Sequence, residues 1–473
     1  MDPINVAERL GRWSAGRGPL YALLAARLRE LIDDGELPPG TRLPPDRALA
    51  GTLAVGRGTV VAAYDLLHTE GRIVRRQGSG TRVAGPPADT PDTTGAPVLL
   101  DLLEPRSDVI GLACAAPDAP PPQLIEAYTR ILPALAATTG DIGYHPGGHP
   151  DLRRAVAAYY ERRGLATGPE QILVTTGGQQ ALSLLARAFL RPGDRVLLEA
   201  PTYPGALEAF REAAAVPRTL PPGLPGFAAA IRAARPALAY AVPTFQNPTG
   251  SVLSTLQRRA LAEAAAAADV PLIDDEVRAE SGFSGTETPP PLAAFGDSVL
   301  TVGSLSKVAW GGLRVGWVRA SSAIVARLAR LRAVHDLGGN LPAQLAAADL
   351  LTNLDGLRAA AAPVRRAQHD LLREELARLL PDWEVAPVTG GHSLWVRLPR
   401  GDGTSFAQAA LRHRVVVLPG GGMDAAGGST DRLRLHFLHP PEVLSTAVQR
   451  LAAAWNDYRA PARPAVSAPP LAV

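Results

Sequence analysis

The sequence has almost no lysine. Of its 473 residues, 48 are lysine or arginine, and Lys307 is the only lysine. Arginine can supply solubility, ion pairs and phosphate contacts, but its guanidinium stays protonated and cannot condense with an aldehyde, whereas a desolvated amine can. A lone lysine in such a chain indicates a covalent role for its amine, although compositional drift would leave the same pattern.

Cysteine and long apolar runs are equally scarce. Cys114 is the only cysteine, which excludes an internal disulfide and favours a reducing compartment. No uncharged apolar run is long enough to span a bilayer, and residues 1–17 lack the apolar stretch of a secretory signal. With 46% hydrophobic and 20% charged residues, the sequence predicts a globular cytoplasmic protein without a membrane partner. Its formal charge of +3 permits nucleic acid binding without requiring it.

The composition divides the chain into four segments. Residues 85–97 contain few large apolar side chains and several prolines, which predicts a linker between a small domain (1–84) and a large one (98–456). Residues 457–473, rich in proline and alanine, predict a disordered tail. In the large domain, β-branched apolar runs alternate with amphipathic alanine-rich segments, which is typical of an α/β fold. We find no internal repeats.

The small domain has the pattern of a helix-turn-helix. Apolar residues at helical spacing predict a helix over 20–32, and two shorter helices follow over 46–54 and 57–70, with a turn at Gly56 between them. The second of these short helices could lie in the major groove of DNA. The stretch 73–83, with glycines at its centre, predicts a β-hairpin wing.

The sequence of this domain resembles the GntR-type winged helix. The resemblance rests on residues 35–50 (GELPPGTRLPPDRALA), on 57–67 (RGTVVAAYDLL) and on the Gly-Ser-Gly-Thr of the wing. It implies contacts with double-stranded DNA by Arg47, Arg57, Thr59, Arg75, Arg76 and Gly80. Gly56 replaces the usual Ser or Thr, which loses a side-chain cap at a cost of only a few tenths of a kcal/mol. A winged helix used only for protein contacts is the alternative.

In the large domain, several segments suit a phosphorylated aldehyde. Gly178 and Gln179 open a helix directly after an apolar strand, where free backbone N–H groups and the helix dipole suit a phosphate. Lys307 lies in Gly-Ser-Leu-Ser-Lys, with Arg314 seven residues later. This arrangement suggests a Schiff base between Lys307 and pyridoxal phosphate (PLP), with the phosphate held by Arg314 and by the hydroxyls of Ser304 and Ser306, Ser304 being preferred by position.

Residues 100–455 resemble the fold-type I PLP-dependent aminotransferases. The resemblance rests on Tyr-His-Pro-Gly-Gly from Tyr144, Tyr-Pro from Tyr203, Asn-Pro-Thr-Gly from Asn247, Asp-Glu-Val from Asp275, and Arg-Leu-Arg-Leu around Arg434. It implies that Tyr144 reaches the cofactor phosphate of a neighbouring subunit, Tyr203 stacks on the pyridine ring and Asn247 bonds the phenolic oxygen. It also implies that Asp275, rather than Asp274 on the opposite face of the strand, holds the pyridine nitrogen protonated. Arg434 would bind an effector or substrate carboxylate as a bidentate fork.

Three of these assignments have alternatives, and one family feature is missing. Tyr144 and Tyr203 could be packing aromatics, and Arg432 competes with Arg434. The family usually places a tyrosine two or three residues after the aspartate, where this chain has Val277 and Arg278. That change weakens the case for efficient transamination more than the case for cofactor binding. No metal site is predicted.

Together the two domains resemble the MocR-type transcriptional regulators. The predicted fold is α/β, with an N-terminal winged helix-turn-helix and a large fold-type I aminotransferase-like domain. The resemblance implies a homodimer that binds two DNA half-sites, with PLP or a PLP–amine aldimine as effector sensed through Lys307 and an amine or amino acid as a further ligand. The alternatives are an active PLP-dependent aminotransferase carrying an accessory DNA-binding domain, and a constitutive DNA-binding protein whose large domain only dimerises.

Overall fold

The chain divides into two units, Met1–Ala96 and Pro97–Val473. The computed structural model describes residues 3–11, 13–15, 18–33, 36–37, 41–69, 72–76, 80–83, 108–221, 223 and 226–459. The predicted linker (85–97) and residues 460–473 of the predicted tail lie outside the described residues. No helix in the described part of the chain is both long and apolar enough to cross a membrane.

The first unit is a helical cluster followed by a two-stranded hairpin. Its elements are α1 (Pro3–Leu10), α2 (Leu20–Asp33), α3 (Asp46–Thr52), α4 (Arg57–Thr69), β1 (Ile73–Arg76) and β2 (Gly80–Val83). The strands are antiparallel, with Ile73 opposite Val83. Leucine and valine side chains from all four helices form the core, and the Tyr64 hydroxyl fixes α4 by donating to the carbonyl of Pro44 at 3.0 Å.

The predicted helix-turn-helix and wing are therefore present, with small differences. Helix α3 ends two residues earlier than predicted, because Leu53 and Ala54 form the turn and Ala54 is left-handed (φ 52°), and α4 ends one residue earlier, at Thr69. Helix α1 was not predicted, although Val6 and Leu10 on it are buried in the core.

The second unit is built on a seven-stranded mixed sheet in the order β4-β10-β9-β8-β7-β5-β6. Only β10 runs antiparallel to its neighbours, β4 and β9. The strands are β4 (Ile172–Thr175), β5 (Arg195–Glu199), β6 (Val216–Leu220), β7 (Leu238–Ala241), β8 (Leu272–Asp275), β9 (Val299–Ser304) and β10 (Gly316–Arg319), numbered after a short β3 (Ile110–Gly111). Strands β4, β7, β8 and β9 are buried throughout, as expected for a sheet covered by helices on both faces.

Helices cover this sheet and extend beyond it, which confirms the predicted α/β class. They are α5 (Pro122–Ala136), α6 (Pro150–Arg162), α7 (Gly178–Phe189), α8 (Pro204–Glu212), α9 (Phe227–Ala234), α10 (Thr255–Ala268), α11 (Ser322–Asp336), α12 (Leu341–Thr352) and α13 (Leu354–Leu379). The predicted alanine-rich helix is α10, which begins with a capping box from Ser254 and Gln257.

The C-terminal part of this unit forms a smaller sheet with its own core. The antiparallel order is β11-β12-β15-β14, and β13 pairs with β3 from the start of the unit. The elements are β11 (Glu384–Val385), β12 (Ser393–Arg397), α14 (Gly403–Arg412), β13 (Val415–Val416), β14 (Leu418–Pro419), β15 (Arg432–His436) and α15 (Pro441–Asp457). Tyr458 is buried against Phe406, so ordered packing extends past the start predicted for the tail.

Candidate functional site

A cavity of about 500 Å³ lies in the second unit, where the carboxyl ends of the parallel strands meet. Five strands lead into it, because β4 is followed by Gly178, β5 by Tyr203, β7 by Asn247, β8 ends at Asp275 and β9 is followed by Lys307. The predicted site residues in its lining are Gly178, Gln179, Tyr203, Asn247, Asp275, Ser306, Lys307, Arg314 and Arg434. Residues spread over more than half of the chain thus converge on one space.

Lys307 projects its amine into this cavity. Its Nζ donates to the carbonyl of Ala115 at 2.7 Å. Burial lowers the pKa of Lys307 to about 8, and the neighbouring Arg278 contributes in the same direction. At neutral pH the amine is therefore far closer to its uncharged, nucleophilic form than a surface lysine would be.

The three consecutive acids at the end of β8 have three different environments. Asp274 is turned away from the cavity and accepts from the backbone N–H of Leu292 at 2.9 Å, as expected from the alternation along a strand. Glu276 forms a buried ion pair with Arg163 at 2.8 Å. Asp275 lines the cavity and accepts from the Tyr240 hydroxyl at 2.6 Å and from the backbone N–H of Val277 at 3.1 Å. Burial raises the pKa of Asp275 because the charged carboxylate is poorly solvated there, and a cationic partner would stabilise that charged form.

The start of α7 and Arg314 form one end of the cavity. Gly177, at the N-cap of α7, has a φ of 103°, and a Cβ there would lie 3.1 Å from Arg314 Nη2. Arg314 is left-handed (φ 55°), and its guanidinium donates to the carbonyls of Thr176 and Gly311. Free N–H groups at a helix start beside a guanidinium make a site for a phosphate group.

The two serines before Lys307 differ in their access to the cavity. The Ser304 hydroxyl lies 3.1 Å from both the Val315 carbonyl and the Ser306 hydroxyl, and it accepts from the backbone N–H of Ser306. These bonds hold it within the turn after β9, whereas Ser306 lines the cavity. Ser306, rather than the preferred Ser304, is thus the serine in the cavity lining, and its role as a phosphate ligand stays a prediction.

Tyr203 and Gln179 form one wall of the cavity. The Tyr203 hydroxyl donates to Gln179 Oε1 at 3.1 Å, and the Gln179 amide donates to the Gly205 carbonyl at 2.8 Å. Burial raises the pKa of Tyr203 to about 12, so it stays a neutral ring. Tyr203 lines the cavity, and its stacking on a ligand ring stays a prediction.

Asn247 and Arg434 are linked on another side of the cavity. Arg434 Nη1 donates to Asn247 Oδ1 at 3.0 Å and Nη2 donates to the Ala113 carbonyl, but its Nε is buried without a partner. Arg434 is one of the residues that line the cavity, whereas Arg432 is not among them. In β15, Arg434 lies opposite Trp395 of β12 and Leu418 of β14.

Other lining residues were not assigned to the site from the sequence. They are Cys114, Ala115, Ala116, Leu182, Val242, Val277, Arg278 and Gly311. The segment around Cys114 comes from the start of the unit and carries no recognisable motif, so no local signal marked it. Arg278 was noticed only as a replacement for a tyrosine, yet it is 5% exposed and charged.

Tyr144 lies outside this cavity and is 62% exposed. An exposed position is compatible with the predicted contact to a neighbouring subunit, which stays a prediction. Nearby, Asp141, His145 and His149 bring potential metal ligands within 4.8 Å of one another. The His145–Asp141 ion pair (3.0 Å) and the capping of α6 by His149 account for this arrangement, so we assign no metal to it.

In the first unit, the predicted DNA contacts lie at the starts of α3 and α4 and on the hairpin. Arg47 and Arg57 are exposed, and Arg57 Nη2 lies 3.4 Å from Asp46 Oδ2. Thr59 is half-buried in the first turn of α4. Arg75, Arg76 and Gly80 lie on the paired strands, with Arg76 opposite Gly80. The side chains of the two arginines are outside the described part of the structure.

Comparisons with known proteins match both units. The family model for class I and II aminotransferases matches residues 107–451, and that for bacterial regulatory proteins of the gntR family matches residues 20–83. The HTH-type transcriptional regulator YisV of Bacillus subtilis is 30% identical over 90% of this chain and 95% of its own length. The regulatory protein MocR of Rhizobium meliloti is 32% identical over 63% of this chain and 65% of its own length.

A solved structure supports the fold of the large unit. LysN, an α-aminoadipate aminotransferase from Thermus thermophilus complexed with N-(5'-phosphopyridoxyl)-L-leucine, matches with a TM-score of 0.69 and 30% identity, over 76% of this chain and 94% of LysN. A DNA-binding winged helix and an aminotransferase-like domain are thus both present. The chain belongs to the MocR-type transcriptional regulators of the GntR superfamily.

Proposed function

We propose that this regulator binds PLP in the cavity of its large unit and that the bound cofactor changes its affinity for DNA. The observation that carries the proposal is the position of Lys307: the only lysine of the chain points its amine into a cavity that also contains Asp275, Asn247 and Arg434. Burial of this amine suits condensation with an aldehyde. A cytoplasmic location is part of the proposal, because the protein must reach the DNA.

The residues of the cavity fit PLP from end to end. Gly178, Ser306 and Arg314 would hold the phosphate, and Tyr203 would stack on the ring. Asp275 would bond the ring nitrogen, and the Asn247 amide nitrogen would donate to the phenolic oxygen. When bound, PLP supplies an aldehyde carbon that condenses with amines, and Lys307 is the amine in reach. Arg434, with its unpartnered Nε, would bind the carboxylate of an amino acid effector.

Regulation then requires that ligand binding distinguish two arrangements of the protein. Release of the Lys307 amine when an effector amine takes its place is a local change that can bias such an equilibrium. We further propose that the protein acts as a homodimer, with Tyr144 completing the neighbouring cavity, and that two winged helices bind two half-sites.

The decisive experiment measures binding of the full chain to the DNA upstream of its own gene, with and without PLP. We expect the affinity of the wild type to change with PLP and that of Lys307→Ala to stay constant. DNA binding that is the same in both proteins under both conditions would refute the proposal and leave a constitutive DNA-binding protein.

A working aminotransferase is the second candidate, and the retained cofactor-binding residues favour it. Turnover of an amino acid and a keto acid by the purified protein would support this function. Val277 and Arg278 stand where the aminotransferase family usually has a tyrosine, which argues for slow turnover because the usual hydroxyl near the phenolic oxygen is missing.

A further inference from the structure

The lining of the cavity contains one more cationic side chain than the proposed binding of PLP and a single carboxylate uses. Its lining holds Arg278, Lys307, Arg314 and Arg434, against Asp275 as the only carboxylate in that lining. In the proposed function Arg314 would pair with the phosphate, Asp275 with the ring nitrogen, and Lys307 would be the amine that condenses with the aldehyde. The carboxylate of an amino acid neutralises Arg434. Arg278 is left over.

Arg278 is unusual because it is buried and unpaired. It is 5% exposed, and within the described residues its guanidinium forms neither a hydrogen bond nor an ion pair. By contrast, Arg258 donates to the carbonyls of Leu253 and Pro243, and Arg163 pairs with Glu276. The nitrogens of Arg278 are not among the fully buried, unpartnered side-chain atoms, and the residue lines the cavity, so an anion bound there can pair with it.

The charges around Arg278 strengthen this argument. Burial lowers the pKa of Arg278 to about 9, the nearby Arg434 lowers it further, and Asp275 only partly opposes them. Asp275 is already bonded to Tyr240 and to a backbone N–H. Asn247 would donate to the phenolic oxygen of PLP through its amide nitrogen, because its Oδ1 accepts from Arg434.

We infer that Arg278 forms a second carboxylate subsite and that the effector is an acidic, dicarboxylic amino acid. Arg434 binds its α-carboxylate and Arg278 its side-chain carboxylate. The inference rests on the proposed function of the cavity. It adds a specificity-determining residue to the cavity.

The test compares ligands that differ in one charge. L-Glutamate and L-glutamine, and L-aspartate and L-asparagine, have nearly the same shape, and their dissociation constants are measured by isothermal titration calorimetry on the PLP-loaded full chain. We expect the wild type to prefer an acid over its amide by about 10- to 100-fold, as for a charge-assisted hydrogen bond. Equal affinities in the wild type would overturn the inference without any mutant.

Variants then assign the preference to one residue. Arg278→Met should bring the acid-to-amide ratio close to 1, and Arg278→Lys should restore part of it. Arg365→Met is the matched control, because Arg365 is equally buried, has an unpartnered Nε and lies outside the cavity lining. It should keep the wild-type ratio. An unchanged ratio in Arg278→Met would overturn the inference.

A readout that does not depend on PLP completes the test. The diacid glutarate should raise the melting temperature of the PLP-free wild type more than that of Arg278→Met, and an equal effect on both would contradict the subsite. The DNA-binding assay is scored separately. A regulator that responds to PLP but treats acids and amides alike fails only this inference, whereas charge discrimination without any DNA response fails only the proposed function.

Discussion

At the scale of single residues, the cavity depends on charged groups that burial has changed. Lys307 and Arg278 are both easier to deprotonate than their surface counterparts, because each lies in a poorly solvated space with other cations nearby. The protonation of Lys307 therefore depends on the charge of Arg278, and varying the pH is the most direct way to observe this dependence.

The rate of PLP capture should rise with pH up to about 8. The neutral amine is the reactive form, and with the Lys307 pKa lowered to about 8 its fraction grows about tenfold per pH unit below that value and levels off above it. Stopped-flow absorbance after mixing PLP with the PLP-free protein, between pH 6 and 9, measures this profile. In Arg278→Met the midpoint should move to higher pH, since a neighbouring cation is removed. A rate that keeps rising past pH 9 in the wild type would show an unperturbed lysine.

At the scale of elements, the junction between β4 and α7 shapes the phosphate end of the cavity. Gly177 allows both the left-handed turn and the approach of Arg314, so the phosphate end of the cavity depends on the absence of one side chain.

Gly177→Ala should lower both stability and PLP affinity. The positive φ alone costs about 1–2 kcal/mol of unfolding free energy, and the new Cβ would press on Arg314 Nη2. Gly193→Ala is the control, because Gly193 also has a positive φ (88°) but an added Cβ meets nothing within 4 Å. Thermal denaturation and PLP titration of both variants measure the two effects. Equal PLP affinities would show that Gly177 serves only the turn.

Arg57, at the start of α4, should contribute to the salt dependence of DNA binding. If it contacts a phosphate, Arg57→Ala weakens binding to all sequences and reduces the slope of log K against log salt by about 1. Fluorescence anisotropy at several salt concentrations measures the slope, with Arg366→Ala on the surface of α13 as the control. A lost preference for the operator with an unchanged slope would instead indicate a base contact.

Much of this architecture could be predicted from the sequence, for reasons visible in particular elements. The glycine turn before Gly178 and the segment around Lys307 could be interpreted from their residues, whereas Tyr203, Asn247 and Asp275 were assigned by resemblance; parallel strands bring such positions to one edge of the sheet. Helix α1 was missed since only Val6 and Leu10 show its buried face. The burial of Arg278 could not be foreseen, because arginine is ordinarily exposed and no local pattern reveals a cavity formed from five distant segments. The choice between Ser304 and Ser306 depended on a turn whose hydrogen bonds the sequence does not specify.

At the scale of the whole molecule, the predicted linker over 85–97 is the covalent connection between DNA binding and the cavity. Coupling between two ligands is reciprocal, so it can be measured from either side. About ten glycine and serine residues inserted into this segment should weaken the influence of PLP on DNA affinity, because a flexible tether transmits little orientation.

The measurement is the ratio of DNA dissociation constants with and without PLP, in the wild type and in the insertion variant. The same ten residues appended after Val473 provide the control. Retention of the full ratio in the insertion variant would mean that the signal does not depend on a short connection, and the regulatory model would then need contacts outside the linker.

The scarcity of lysine also makes the protein unusually simple to label. Apart from the chain's N-terminus, Lys307 offers the only primary amine, and it lies half-buried inside a cavity rather than on the surface. An amine-selective probe therefore has one internal target, and mass spectrometry of the labelled protein counts empty cavities directly. Labelling of Lys307 thus reports the fraction of empty cavities, even in a crude mixture, without a reporter gene or an engineered tag.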